Sequence, residues 1–257
     1  MTTVSAVPDV SVWDNPPHLD PRGTIVLFPG RGEDPSLYER FGARFGADAY
    51  RVRAVADPSR HPDRAIKQVK EILAADDLSH PVVLAGSDGG ALFAAGLVAS
   101  GEVTADALLL AGLPVHRADT VAAPNAWDEE LGARTACSTH QGRLAAADRL
   151  ERGAVYTPLP SEWFERADLA AVHVPVLALH GAADEISPLS EARAGYAAAP
   201  RIELVSLVGG RHDALNDASH RTSAATVLLF LERLRLGPEA PLVAVREKLA
   251  VREELPS

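Results

Sequence analysis

The chain has one cysteine, Cys137, in 257 residues. No internal disulfide can form, and a reducing compartment is the expectation. Basic charge is in deficit: 25 Lys and Arg stand against 35 Asp and Glu, a formal charge of −10. Such a surface repels a phosphate backbone, so nucleic acid is not an expected partner. No apolar run is long enough to span a bilayer. The stretch Met1 to Val10 carries neither a basic segment nor an apolar core, so no secretory signal is expected and a cytoplasmic location is. Internal repeats and low-complexity tracts are lacking. No His, Asp or Glu cluster has metal-ligand spacing, so neither metal nor cofactor is expected.

What is present is a large apolar fraction, 47%, enough for a substantial core. Short apolar runs alternate with amphipathic segments. Strands are expected at Thr24-Phe28, Tyr50-Val55, Val82-Ala85, Ala107-Ala111, Val174-Leu179 and Ile202-Leu207. Helices are expected at Pro35-Phe45, His61-Ala75, Gly90-Ala99, Ser187-Ala199 and Ser219-Leu236. Strands that are apolar without alternation, separated by helices, imply an α/β fold: a mostly parallel, doubly wound sheet with helices on both faces. Residues 1–113 and 173–237 read as this core. Residues 114–172 hold no convincing core strand, only helical pieces such as Trp127-Thr135 and Arg143-Arg152, and read as an inserted helical lid. Residues 238–257 read as a tail with a short helix over Val243-Glu254.

The run Pro81-Val82-Val83-Leu84-Ala85-Gly86-Ser87-Asp88-Gly89-Gly90-Ala91 is the most informative segment. A buried strand meets a sharp glycine-flanked turn and then a helix, the context of a nucleophile elbow. Two other loops belong to the same strand ends, where open α/β sheets bind ligands. Phe28-Pro29-Gly30-Arg31-Gly32-Glu33 can aim a backbone N–H at a developing oxyanion, with the N–H of Gly89 as second donor. His180-Gly181-Ala182-Ala183-Asp184 and Gly209-Gly210-Arg211-His212 add an acid and then a histidine, in the chain order nucleophile, acid, base.

These motifs resemble the α/β-hydrolase family over nearly the whole chain, and most closely its monoacylglycerol-lipase and lysophospholipase branch. Where that branch has H-G-x-G-E and a following Tyr, this chain has Pro29, Gly30, Gly32, Glu33 and Tyr38. Where it has G-x-S-x-G-G, this chain has Gly86, Asp88, Gly90 and Ala91, with Asp88 in place of the serine. His180, Gly181, Asp184, Ile186 and Pro188 match a third motif. Gly209, His212, Asp213, Leu215, Asn216 and Asp217 match a fourth. The resemblance implies a hydrolase with Asp184 and His212 as acid and base.

The nucleophile is Asp88 or Ser87. The distance from the strand favours Asp88, and so does electrostatics: were Ser87 to attack, the Asp88 carboxylate would sit beside the developing oxyanion. A carboxylate attacking an ester carbonyl gains little, because it makes an anhydride. One attacking a saturated carbon makes an alkyl ester, as in epoxide opening, and His212 then activates water against that ester. Proteins similar to haloalkane dehalogenases follow the nucleophile with Trp, whereas Gly89 follows here. Proteins similar to epoxide hydrolases use paired lid tyrosines as acid; residues 114–172 offer Tyr156, with His116 and His140 as substitutes. A serine esterase or lactonase using Ser87 is the alternative, and a non-hydrolytic catalyst or ligand-binding homologue is the third. The expected substrate is a small apolar organic molecule, under a ceiling to which Trp127, Tyr156, Trp163 and Phe164 are candidates. The sequence sets no oligomeric state.

Blander readings exist for each residue. Asp88 could cap the following helix, Asp184 could close an Asx turn, and the Arg31 guanidinium is expected to be solvated rather than to meet a substrate carboxylate. Cys137 reads as a buried small hydrophobe.

Overall fold

A computed structural model describes residues 10–115 and 126–245, with positions 124 and 247. Seven strands form one sheet: β1 (Ser11–Trp13), β2 (Thr24–Phe28), β3 (Arg51–Ala54), β4 (Val82–Ser87), β5 (Ala107–Ala111), β6 (Val176–Gly181) and β7 (Ile202–Leu207). Their spatial order is β1-β3-β2-β4-β5-β6-β7. All pairs are parallel except β1 with β3. The antiparallel edge strand β1 was not expected; three residues are too short a run to show a period.

The alternation of side chains along a strand explains the two cores. Ile25, Leu27, Val83, Ala85, Leu109, Leu177 and Leu179 face one way, onto α1 (Glu39–Ala47) and α8 (His220–Leu234). Val26, Phe28, Leu84, Leu108, Leu110 and Ala178 face the other, onto α2 (Pro62–Leu73), α3 (Gly89–Ala99) and α7 (Leu189–Ala197). Both faces are covered, so the central strands have no polar side to show, and β2, β4, β5 and β6 are buried at every position. α3 is apolar all round and lies entirely inside up to Leu97.

Between β5 and β6 the described chain forms α4 (Trp127–Arg134), α5 (Ser138–Ala146) and α6 (Ser161–Arg166), with short 3-10 turns and no strand. The helix expected over Arg143-Arg152 lies earlier, at α5. At Ala147 the backbone turns extended, and Glu151 N–H donates to Gly32 O at 2.9 Å instead of to a helical carbonyl. Of the tail helix expected over Val243-Glu254, residues 243–245 and 247 are described and are not helical; the rest lie outside the described residues. Among the described residues no helix is long and apolar enough to cross a membrane.

Candidate active site

β4 ends at Ser87, and the chain then turns sharply at Asp88, with φ 49° and ψ −125°. Positive φ in a non-glycine residue is strained by roughly 1–3 kcal/mol and persists only where its surroundings enforce it. They do so here. Asp88 N–H extends the ladder to Ala111 O at 2.9 Å. A side chain on Gly86 would lie 2.3 Å from Gly90 O, and one on Gly90 would lie 2.3 Å from Pro29 O. Both glycines are therefore required for strand, turn and helix to meet.

The strand pleat decides where Ser87 points. Val83 and Ala85 face the α1 side, so Ser87 does too, on the side where Tyr38 packs. Asp88 leaves the pleat and faces the histidine loop, with Oδ1 3.3 Å from His212 Nε2, close but not aligned as a hydrogen bond. His212 Nδ1 lies 2.8 Å from Asp184 Oδ2. Asp184 Oδ1 accepts from the N–H groups of Ile186 and Ser187 at 2.9 and 2.8 Å. The Asx-turn reading and the role as histidine partner are thus both present, one on each oxygen. His180, fully buried at the end of β6, adds Nε2 at 3.2 Å from Asp184 Oδ2. Asp88 makes no side-chain cap to α3, so the helix-cap reading fails.

The first glycine loop is tied down on both sides of Arg31. Gly30 N–H reaches Glu33 Oε2 and the Tyr38 hydroxyl, both at 3.1 Å, and Gly32 N–H donates to Asp57 Oδ2 at 2.7 Å. The Arg31 N–H between them donates to Asp88 Oδ2 at 3.0 Å. Gly89 N–H, the other expected donor, makes no hydrogen bond to this carboxylate among the described contacts.

The Arg31 side chain is not solvated, contrary to expectation. Nε donates to Asp88 Oδ2 at 2.8 Å, Nη2 to Oδ1 at 2.7 Å, and Nη1 to the Thr157 carbonyl at 2.6 Å. Its stem crosses Gly89, where a Cβ would meet Arg31 Cγ at 3.0 Å and Leu159 Cδ2 at 3.4 Å. Glycine after Asp88 gives this stem its room, since a side chain there would press Arg31 and Leu159 aside. The chain distance of 57 residues between the partners is why no local pattern announced the pair.

The charges follow. Burial opposes ionisation of Asp88, but the Arg31 charge and then His212 outweigh it and hold the carboxyl well below the usual range. Burial likewise opposes a charged His212, yet Asp184 first and Asp88 second push its pKa up to about 10. Asp184 is held low against burial by His212 and His180. The resting state is therefore two carboxylates with an imidazolium and a guanidinium.

Beneath this site lies a second charged cluster that sequence reasoning did not find. Arg134, the last residue of α4 and fully buried, donates Nη1 to Glu33 Oε1 and Nε to Glu130 Oε1, both at 3.0 Å. Asp213 N–H donates to Arg134 O at 2.8 Å, and Asp213 Oδ2 lies 3.2 Å from His140 Nε2. Asp217 Oδ1 takes Thr135 Oγ1–H and Ala136 N–H, while its Oδ2 takes Arg211 N–H. Glu33, Asp213 and Asp217 are motif positions whose work is thus to join α4 and α5 to the loops on either side of Asp88. His140 is engaged with Asp213 rather than poised as a lid acid, and His116 lies outside the described residues.

The ceiling candidates are dispersed. Trp163 packs its ring 4.8 Å from Phe93 of α3, and Phe164 joins the same core. Trp127 packs on the opposite core, under the Arg152 guanidinium at 4.6 Å. Tyr156 is half-buried, its phenol held protonated first by burial and then by the charge of Glu130. Leu159, not foreseen, is the side chain over Gly89. Cys137 is half-buried rather than buried, and Arg40 Nη1 lies 3.4 Å from its Sγ.

No family model and no curated protein matches this sequence. Solved structures do. A monoacylglycerol lipase from Paleococcus ferrophilus aligns with a TM-score of 0.68 at 16% identity, over 86% of this chain and 97% of that one. A soluble variant of the Saccharomyces cerevisiae monoglyceride lipase, in complex with a substrate analog, aligns at 0.65 and 13% identity, over 87% and 91%. A butyrate-bound esterase from Thermogutta terrifontis aligns at 0.57 and 16%, over 88% of each chain. At such identities the likeness is one of architecture, and with the parallel sheet, the elbow after β4 and the acid and histidine loops after β6 and β7 it leads to one conclusion: this chain has the α/β-hydrolase fold.

Proposed function

We propose that the protein is a hydrolase that forms a covalent ester on Asp88 with a small, largely apolar substrate, by epoxide-hydrolase-like chemistry. One observation carries the reading: the side chain on the strained turn, facing His212, is a carboxylate, and the adjacent Ser87 follows the strand pleat toward the Tyr38 side of the sheet. The lipase and esterase structures that share the fold support a hydrolase.

An Asp88 oxygen attacks one ring carbon of an epoxide, the carbon–oxygen bond breaks, and the ring oxygen takes the electron pair. The His212 imidazolium supplies the proton this oxygen needs, with Tyr156 as a phenol able to relay it. Esterification removes the Asp88 charge, which lowers the His212 pKa and leaves a neutral base. His212 then takes a proton from water as the water attacks the ester carbonyl carbon. The Arg31 N–H, joined by that of Gly89, stabilises the oxyanion on Asp88. Collapse expels the second alkoxide, which takes the remaining water proton from the newly formed Asp88 carboxylic acid, giving a diol and restoring the carboxylate beside the His212 imidazolium. Asp184 holds the imidazole in place throughout. Residues 114–172, through Thr157 and Leu159, form the lid in this reading.

Single turnover of a terminal epoxide in heavy-oxygen water tests it. The label is expected in the Asp88 carboxylate, read by mass spectrometry of the peptide that contains it. An unlabelled Asp88 with fluorophosphonate attached to Ser87 would move the assignment to a serine esterase. A second reading has its own support: Arg31 grips both Asp88 oxygens, as suits a ligand-binding homologue or a non-hydrolytic catalyst. Unlabelled Asp88 together with tight, unreactive binding would favour it.

A further inference from the structure

We propose that Arg31 is the receptor for a carboxylate carried by the substrate close to its reacting carbon, and that this exchange uncovers Asp88. The inference rests on Asp88 as nucleophile and narrows the substrate to short carboxylic acids with an electrophilic saturated carbon, 2,3-epoxy acids among them.

A carboxylate offers about four in-plane acceptor sites. Three hydrogen bonds from Arg31 reach Asp88, from N–H at 3.0 Å and Nε at 2.8 Å on Oδ2 and from Nη2 at 2.7 Å on Oδ1, and the fourth site faces His212 Nε2, 3.3 Å from Oδ1. The His212 ring stands in the approach to that fourth site, so a donor has to withdraw before a lone pair can attack. The Arg31 N–H is fixed by a loop anchored at Gly30 and Gly32, and His212 is fixed by Asp184. The Arg31 side chain is the one with rotatable bonds and an outward anchor, the Thr157 carbonyl.

A guanidinium that withdraws within a closed site needs a new anion with the same planar fork. The neighbouring carboxylates are committed: Glu33 to Arg134, Gly30 and Tyr38, and Asp57 to Gly32 and Ser59. The anion therefore arrives with the ligand. Charge permits it, because Asp88 keeps the His212 imidazolium while Arg31 takes the newcomer. Reach limits the ligand: the guanidinium nitrogens start within 2.8 Å of the oxygens that attack. The substrate carboxylate must accordingly lie one or two bonds from the electrophilic carbon. An amide or ester of the same skeleton cannot take the fork and leaves the lock closed.

Calorimetric titration of the full chain with propionate and with propionamide tests this. Wild type is expected to bind propionate weakly, because Asp88 competes for Arg31. Asp88→Asn removes the competitor and should tighten propionate binding at least tenfold, with propionamide unchanged. Arg31→Gln in the Asp88→Asn background should cancel the gain. In unmutated protein, independent of any folding defect, the Arg31 Nε–H resonance should shift with propionate and stay still with propionamide. Equal binding of acid and amide by Asp88→Asn, or an Arg31 resonance indifferent to propionate, overturns the proposal. The nucleophile is judged separately by the oxygen label: label without propionate binding sinks the substrate class alone, and propionate binding without label sinks the nucleophile alone.

Discussion

Arg31 and Arg134 both bury a guanidinium against carboxylates, and Glu33, two residues from Arg31, is the partner of Arg134. Their surroundings differ in count and in freedom. Arg134 hydrogen-bonds two carboxylates and feels the charge of a third, Asp213, and its side chain is 1% exposed. Arg31 binds a single carboxylate and a carbonyl, and its side chain is 10% exposed. An arginine among several anions is a rivet. An arginine shared between one anion and a neutral carbonyl can be traded for a better partner. The acid excess around Arg134 has its own mark: burial first and Asp213 second raise Glu33 to about 7.

The comparison can be broken most sharply at Asp88. Asp88→Asn should leave far-UV circular dichroism unchanged and reduce turnover on the order of 10⁴-fold or more. Survival of turnover would remove the chemical distinction between the clusters. Stability comes next. Arg134→Met strands buried carboxylates and should cost about 3–5 kcal/mol in urea unfolding. Arg31→Met should cost less than half as much, since Asp88 keeps the Arg31 N–H and His212. Equal losses would make Arg31 a second rivet.

Titration separates the clusters by pH window. A His212 raised to about 10 from 6.5 binds its proton more tightly when folded. Its contribution is complete below 6.5 and is lost as pH rises to about 10, so stability should decline across that window, and His212→Gln should flatten the decline. Glu33, raised to about 7 from 4.5, also takes up a proton on folding, so its share of stability falls as pH rises from 4.5 to 7, and Glu33→Gln should remove that earlier slope. NMR of the imidazole adds a direct check: Asp88→Asn should lower the His212 pKa by about 1–3 units. The smallest effect is expected at Leu159, where Leu159→Ala should raise KM roughly 5–10-fold, the scale of one lost apolar contact, with kcat little changed.

Much of the scaffold was readable because its signals are local. Unalternating apolar runs marked β2, β4, β5 and β6, since a strand buried on both faces cannot hide a polar residue. Gly86 and Gly90 marked the elbow because any side chain there collides with backbone. The three-residue β1 carried too few residues for a period. The shift of α5 arose from a backbone bond to Gly32, which no nearby residue announces.

The sequence by itself determined the α/β order, the strained turn and the succession Asp88, Asp184, His212. These depend on period, on steric demand at glycine and on chain order. Tertiary structure alone decided what the long side chains do. Arg31 and Arg134 each have several rotamers of similar energy, and their choice depends on carboxylates 57 and 101 residues away. Burial raises the cost of leaving either charge unpaired, so packing, not local preference, selects the rotamer. That selection placed Arg31 across both oxygens of Asp88 and Arg134 between Glu33 and Glu130.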